Sequence, residues 1–156
     1  MERGPSIVLF DGVCNLCNGF VTFVLDRDHE RRFLVASLQS DEAAKVLSGL
    51  ADPARAPLAP GSAPDTIVLV EGGRAYDCST AALRIARGLG GPWRLAGVLL
   101  LVPRSLRDAV YRLVARNRYR WFGKAAVCRV PTPELRDRFL SSHPELIPSG
   151  QRPRSG

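Results

Sequence analysis

An α/β fold is predicted by three features of this sequence: a βαβαββα core with a mixed four-stranded sheet, followed by a C-terminal helical extension. Short apolar runs alternate with amphipathic stretches through the first 90 residues. Two of those runs meet across a Gly72-Gly73 turn, and no strand-like run follows Gly90-Gly91-Pro92. The 156 residues suit a single domain with a hydrophobic core. A content of 46% apolar and 24% charged residues excludes a fibrous or wholly disordered chain.

The first strand spans 6–10, where Ile7, Val8, Leu9 and Phe10 are consecutive and Asp11-Gly12 ends the run. A helix follows over about 15–28. Leu16, Phe20, Phe23 and Val24 share one helical face, and Cys14, Cys17, Val21 and Leu25 line the adjacent stripe. The second strand, 32–38, centres on Phe33, Leu34 and Val35. Ser40 then suits a helix N-cap, with Asp41 and Glu42 complementing the dipole in a helix that ends near Gly49. Residues 51–64, with prolines at 53, 57, 60 and 64, form a surface loop. The third strand, 66–70, pairs with 74–77 as a hairpin. Ser79 caps a third helix with apolar positions Ala82, Leu83, Ile85, Ala86 and Leu89.

In the extension, an apolar helix over 93–102 stops at Pro103, and a longer one capped by Ser105 reaches about 118. Thr132-Pro133 opens a last short helix. The core thus occupies about 6–90 and the extension about 93–140, while 141–156, rich in Pro, Ser and Gly, reads as a disordered tail.

The N-terminal Met-Glu-Arg-Gly-Pro lacks the apolar stretch and cleavage site of a secretory signal. The greasiest later stretch, 95–102, is far shorter than the roughly 20 residues that span a bilayer. A soluble, cytoplasmic protein without a membrane partner is therefore expected. Residues 1–103 carry 10 Lys+Arg against 11 Asp+Glu, and 104–156 carry 12 against 4, so the net charge of +7 belongs to the C-terminal third. There, eight basic residues and one acid within 104–129 are interleaved with Tyr111, Tyr119, Trp121 and Phe122. Such a segment suits an anion-binding interaction protein, with nucleic acid or anionic lipid as its partner. The amphipathic pattern favours scaffold instead, with Leu106, Ala109, Val110, Leu113 and Val114 inward and Arg107, Arg112 and Arg116 solvated. Nucleic acid is accordingly not expected as a partner.

Four cysteines are present: Cys14, Cys17, Cys78 and Cys128. In a reducing compartment a close pair points to catalysis or metal binding rather than a structural staple. Cys14 precedes the first helix and Cys17 lies one turn inside it. The unpaired N–H groups of the helix start stabilise a thiolate at the first position, and the second is placed to resolve a mixed disulfide. Zinc sites use the same spacing, so a zinc module built from Cys14 and Cys17 with Cys78 or Cys128 is the alternative. The position of the pair after the first strand, in the element order of a thioredoxin core, favours redox chemistry.

The stretch Asp11-Gly12-Val13-Cys14-Asn15-Leu16-Cys17 resembles the signature of the DCC thiol–disulfide oxidoreductases. Asp65-Thr66 fits as well. So does Tyr111-Arg112, continuing through Arg116-Asn117-Arg118-Tyr119 to Phe122-Gly123 and then Cys128. The likeness runs over about 7–131. It implies a thioredoxin-like fold and a disulfide-exchange role for Cys14 and Cys17, with Cys14 attacking and Cys17 resolving. No bound cofactor is implied. The substrate is a disulfide-containing protein or a small thiol, and an electron donor must re-reduce the pair.

Asp11, three residues before Cys14, is either a proton shuttle for the resolving thiol or an Asp-Gly turn bonding its own backbone; its place in the motif favours the first. Pro64 stands about where thioredoxin folds carry a cis-proline facing the disulfide, which makes Pro64 and Asp65 candidate substrate-binding residues. Cys78 follows the fourth strand, two strands from the first. At roughly 10 Å it is too far for a direct disulfide with the pair.

Overall fold

The period of two along each strand divides the core into two faces. The computed structural model describes residues 5–12, 14–38, 40–50, 67–123 and 136–146. In β1 (Ser6–Phe10), Val8 and Phe10 join one buried cluster while Ile7 and Leu9 join the other. β2 (Phe33–Ser37) divides in the same way, with Phe33 and Val35 against Leu34 and Ala36. A slip of one residue in either strand would exchange its faces, which is what pins the register. With β3 (Val68–Glu71) and β4 (Arg74–Asp77) the strands run in the order β2-β1-β3-β4. β1 and β2 are parallel, and the other two pairings are antiparallel. This is the mixed four-stranded sheet of a thioredoxin-like α/β fold. The β3–β4 turn rests on Gly72 (φ 58) and Gly73 (φ 77), whose left-handed backbone a two-residue hairpin favours.

α1 (Asn15–Arg27) covers one face of the sheet and buries Cys17, Val21, Val24 and Leu25; Leu16, Phe20 and Phe23 are only partly covered. The stripe that carries the cysteines is thus the deeper one. α2 (Asp41–Ser48) covers the opposite face through Ala43 and Val46. Its expected cap is present, with Ala43 N–H donating to Ser40 Oγ at 3.2 Å and Gly49 at the C-cap. α3 (Cys78–Gly88) returns to the face of α1, where Ala81 and Ile85 are buried.

The extension differs from expectation in its winding and in which side faces inward. Residues Gly91–Leu101 form a 3-10 helix rather than an α-helix, and none of them is buried. α4 (Arg104–Phe122) follows, with Pro103 rather than Ser105 at its N-cap position. Both elements pack on α3. Ser79 does not cap α3, whose N-cap is Asp77; its hydroxyl instead donates to the Asp108 carboxylate on α4. Arg104 reaches both Asp77 (2.9 Å) and Asp108 (3.2 Å), so the starts of α3 and α4 are clamped together. The buried positions of α4 are Asp108 and Arg118. Leu106, Val110 and Leu113, expected inward, are each more than half exposed. Buried partners for two charged side chains fix the rotation of this helix, and they override its apolar periodicity.

The segment 136–146 also departs from the expected tail. Val35 N–H donates to the Arg138 carbonyl at 2.9 Å, and Phe139 forms a parallel bridge to Val35, so the segment covers part of the β2 edge. The Arg138 guanidinium pairs with the buried Asp28 carboxylate, which also accepts from the N–H groups of Arg32 and Phe33, each at 3.0 Å. Leu140 is fully buried against the α2 side of the sheet. Two short 3-10 turns, Leu140–Ser142 and Pro144–Leu146, replace the beginning of the expected tail. The proline-rich loop, the helix start at Thr132-Pro133 and the tail beyond 146 lie outside the described residues.

Candidate active site

Asp11 ends β1, and a tight turn leads from it into α1. Cys14 N–H donates to the Asp11 carbonyl (3.3 Å), Asn18 N–H to the Cys14 carbonyl (3.0 Å), and Asn18 Nδ2 to the Gly12 carbonyl (3.0 Å). Cys14 is the extended N-cap residue of α1, and Cys17 sits one turn in. Both are free thiols and both are buried, Cys14 completely. The short spacing and the helix start therefore bring the two sulfurs to one point beneath the surface.

α4 supplies the charge at that point. Arg118 is 2% exposed, and its guanidinium donates from Nη1 to Cys17 Sγ at 3.5 Å and from Nη2 to Asp11 Oδ2 at 3.0 Å. The Tyr119 hydroxyl donates to the same carboxylate oxygen and accepts from Arg118 Nη2 at 3.0 Å. Asp11 is itself 1% exposed, so its negative charge is kept inside the protein by partners more than a hundred residues away in sequence. The carboxylate is part of a buried network, not only of an Asp-Gly turn.

The network sets the protonation of its members. Burial pushes the Cys17 thiol up to about 12; the neighbouring Cys14 thiol adds to the shift and Arg118 opposes it. The Tyr119 phenol is also pushed up to about 12, by burial and by its hydrogen bond to Asp11, and so remains a donor. Burial works against the Arg118 charge, but Cys17, Tyr119, Cys14 and Asp11 hold the guanidinium protonated.

Asn15, the residue after Cys14, ties the helix start to the end of α4. Its Nδ2 donates to the Phe122 carbonyl (3.0 Å) and its N–H to the Gly123 carbonyl (3.5 Å). Gly123 closes α4 with φ 76, a left-handed conformation that a side chain would strain. Tyr111 anchors the middle of the helix, its hydroxyl accepting from Ile67 N–H at 3.0 Å just before β3. A small apolar cavity of about 150 Å³ opens beside the pair, with Leu16, Phe20, Ala82 and Val114 as walls and Cys17 and Arg118 at its margin. A larger cleft, about 730 Å³, lies at the opposite end of β1 beside Ser6, Arg32 and His143 and is lined by none of the cysteines.

Of the sequence-derived site residues, Asp11, Cys14 and Cys17 come together. Pro64, Asp65 and Cys128 lie outside the described residues. Cys78 is the half-buried first residue of α3, with φ 49, and it follows β4, two strands from β1. Among the described residues no three His, Cys, Asp or Glu side chains gather as a metal site. Sequence reading missed the roles of Arg118, Tyr119 and Asn15. A signal was available: Asp108, Tyr111, Ala115 and Arg118 recur at helical spacing, a polar stripe holding the lone acid of α4.

Comparison with known proteins places this site in a family. A family model described as DCC1-like thiol-disulfide oxidoreductase matches residues 8–124, a span that includes Asp11, both cysteines, Arg118 and Tyr119. A Bacillus subtilis (strain 168) protein named Uncharacterized protein YuxK is 44% identical over 142 residues, covering 89% of this chain and 97% of its own length. The DCC family protein At1g52590, chloroplastic, of Arabidopsis thaliana is 42% identical over 133 residues, covering 83% of this chain and 72% of its own. No solved structure matches. The buried cysteine pair, its cation from the C-terminal helix and the extent of these matches lead to one conclusion: the chain belongs to the DCC1-like thiol–disulfide oxidoreductase family.

Proposed function

We propose that this protein exchanges disulfides through Cys14 and Cys17, with Cys14 as the attacking and Cys17 as the resolving thiol. The observation that carries this reading is the juxtaposition of the two free thiols at the start of α1 with the Arg118 guanidinium on Cys17 Sγ. The Cys14 thiolate attacks one sulfur of a substrate disulfide, forming a mixed disulfide and releasing the other sulfur as a thiolate. Cys17 then gives up its proton and attacks Cys14 Sγ, closing the Cys14–Cys17 disulfide and releasing the second substrate thiol. The substrate gains two electrons and two protons, and the protein loses them. A dithiol donor restores the reduced pair by the reverse exchange. Substrates are disulfide-bearing proteins or small thiols, and a reducing compartment such as the cytoplasm keeps the pair ready.

The electrostatics divide the work between the two sulfurs. A thiol held near 12 is almost wholly protonated at neutral pH, which supports Cys14 rather than Cys17 as the first nucleophile. Once Cys14 is tied up in a mixed disulfide, the Arg118 cation offsets the charge that develops on Cys17. Asp11 takes part in moving that proton, a reading supported by its contact with the same guanidinium. Cys14 is completely covered, so a substrate reaches it through local opening.

Mass spectrometry of the native protein, alkylated with and without reductant, tests the reading. A reversible Cys14–Cys17 disulfide is expected, and iodoacetamide should label Cys14 before Cys17 in the reduced protein. Cys14→Ser should abolish disulfide reduction, while Cys17→Ser should accumulate mixed disulfides. Stoichiometric zinc that survives dialysis and protects both thiols would overturn the reading in favour of a metal site.

A further inference from the structure

The side of the extension that faces away from the core is apolar and basic. From the 3-10 helix, Leu95, Val98, Leu99 and Leu101 are each more than half exposed. Leu95, Val98 and Leu101 recur every third residue, the repeat that lines up side chains along one edge of a 3-10 helix. From α4, Leu106, Val110, Leu113 and Trp121 are more than half exposed as well. Their spacing puts them on one stripe of that helix, opposite the buried Asp108–Arg118 stripe. Among the described residues, all of the exposed large hydrophobic side chains except Leu146 lie within 93–122. Scattered exposed apolar residues are normal; a concentration of this kind marks an interaction surface.

The charge accompanying this surface has one sign. Arg112, Arg116 and Arg120 are exposed and run beside the apolar stripe of α4, and Arg94 is exposed nearby. The lone acid in 91–123, Asp108, is buried against Ser79 and Arg104. A second copy of this chain would set arginine rows against each other with no acid between them. A nucleic acid would meet the arginines but leave the leucines without an apolar partner. An anionic phospholipid surface satisfies both, with leucine and tryptophan side chains entering the acyl boundary and arginines on the headgroup phosphates.

We propose that the outer face of the 3-10 helix and α4 docks this protein on an anionic bilayer surface, without crossing it. No helix among the described residues is long and apolar enough to span a membrane, and a surface contact requires none. The apolar stripe of α4 ends at Trp121, next to the Phe122 carbonyl that holds Asn15, so docking would bring the membrane near one of the two residues between the cysteines. This inference does not rest on the thiol chemistry and stands or falls separately from it.

Flotation of the full chain with vesicles of phosphatidylcholine alone, or of phosphatidylcholine mixed with phosphatidylglycerol, tests the proposal at low and high salt. The protein should float with the phosphatidylglycerol vesicles at low salt, with a blue shift in tryptophan emission. It should stay behind with phosphatidylcholine alone. Replacing Arg112, Arg116 and Arg120 together by Gln should weaken binding on the order of a hundredfold, from the contribution of each basic residue near an anionic surface. Replacing Leu106, Val110 and Leu113 together by Ser should abolish the blue shift. These side chains are exposed, so circular dichroism and disulfide exchange should be unchanged in both variants. The proposal fails if the chain ignores both vesicles. It fails equally if light scattering shows a dimer that the serine variant dissociates, or if salt-sensitive binding to duplex DNA is what the glutamine variant loses.

Discussion

Asp11 and Arg118 hold opposite charges where water does not reach, and that fact decides what substitutions do there. Removing one member of a buried pair leaves the other uncompensated, a loss of about 3–5 kcal/mol. Asp11→Asn and Arg118→Gln should each lower stability by about that amount in urea denaturation of the reduced protein. The double variant should lose less than the sum, because the second change removes the charge that the first had stranded. Additive losses would mean that the two side chains do not act as a pair. Arg118→Gln should also slow closure of the Cys14–Cys17 disulfide, since the cation on Cys17 Sγ is gone. At this scale the sequence was half legible. The cysteines and Asp11 stand within seven residues, so their spacing marks them as one candidate site. Their partners come from a helix a hundred residues away, and a buried arginine looks like any other arginine until the helix has a rotation.

The first three strands were legible as short consecutive apolar runs, and β4, the return strand of the Gly72-Gly73 hairpin, was found to the residue. The loop-to-helix boundary at Ser40 was legible because the side chain that caps it has no other job there. The extension was not. Its apolar periodicity suggested an inward face, but two charged positions with buried partners turned that face outward. The strand-like contact of 139 with Val35 was hidden for another reason. A single bridged residue carries no period to detect. That segment makes a prediction at its own scale. Arg138 joins the C-terminal part of the chain to the turn before β2 through Asp28 and the Phe33 carbonyl. Arg138→Ala should therefore cost about 3–5 kcal/mol, as the Asp28 charge stays buried without its cation. Hydrogen exchange should show the loss as new opening at Val35, whose N–H bonds to the Arg138 carbonyl. If exchange at Val35 is unchanged, the segment does not protect the sheet edge.

For the whole molecule, the proton donors of the Asp11–Arg118 network impose a direction on the dependence of stability on pH. Cys17 and Tyr119 both have folded values of about 12, above their ordinary values of 9.0 and 10.0. A group that binds its proton more tightly when folded contributes stability that is complete below its unfolded value and is lost as pH rises towards the folded one. The reduced protein should thus weaken progressively from about pH 9 to 12, read as a falling urea midpoint. Cys17→Ser should flatten the early part of that fall, leaving the tyrosine's share above pH 10. A midpoint that holds steady through this range would contradict the burial of Cys17 and the partial burial of Tyr119. The charge excess of the C-terminal third, visible in composition, turns out to serve two ends: some arginines are solvated and others are internal counterions. The internal ones also limit how the chain can be cut. A fragment that stopped after α3 would keep all four strands and both Cys14 and Cys17, yet Asp11 would have lost its cation and Asn15 the carbonyls that hold it. The smallest autonomous version of this redox unit is consequently larger than its thioredoxin-like core, and grafting the cysteine turn into another scaffold would have to carry α4 along with it.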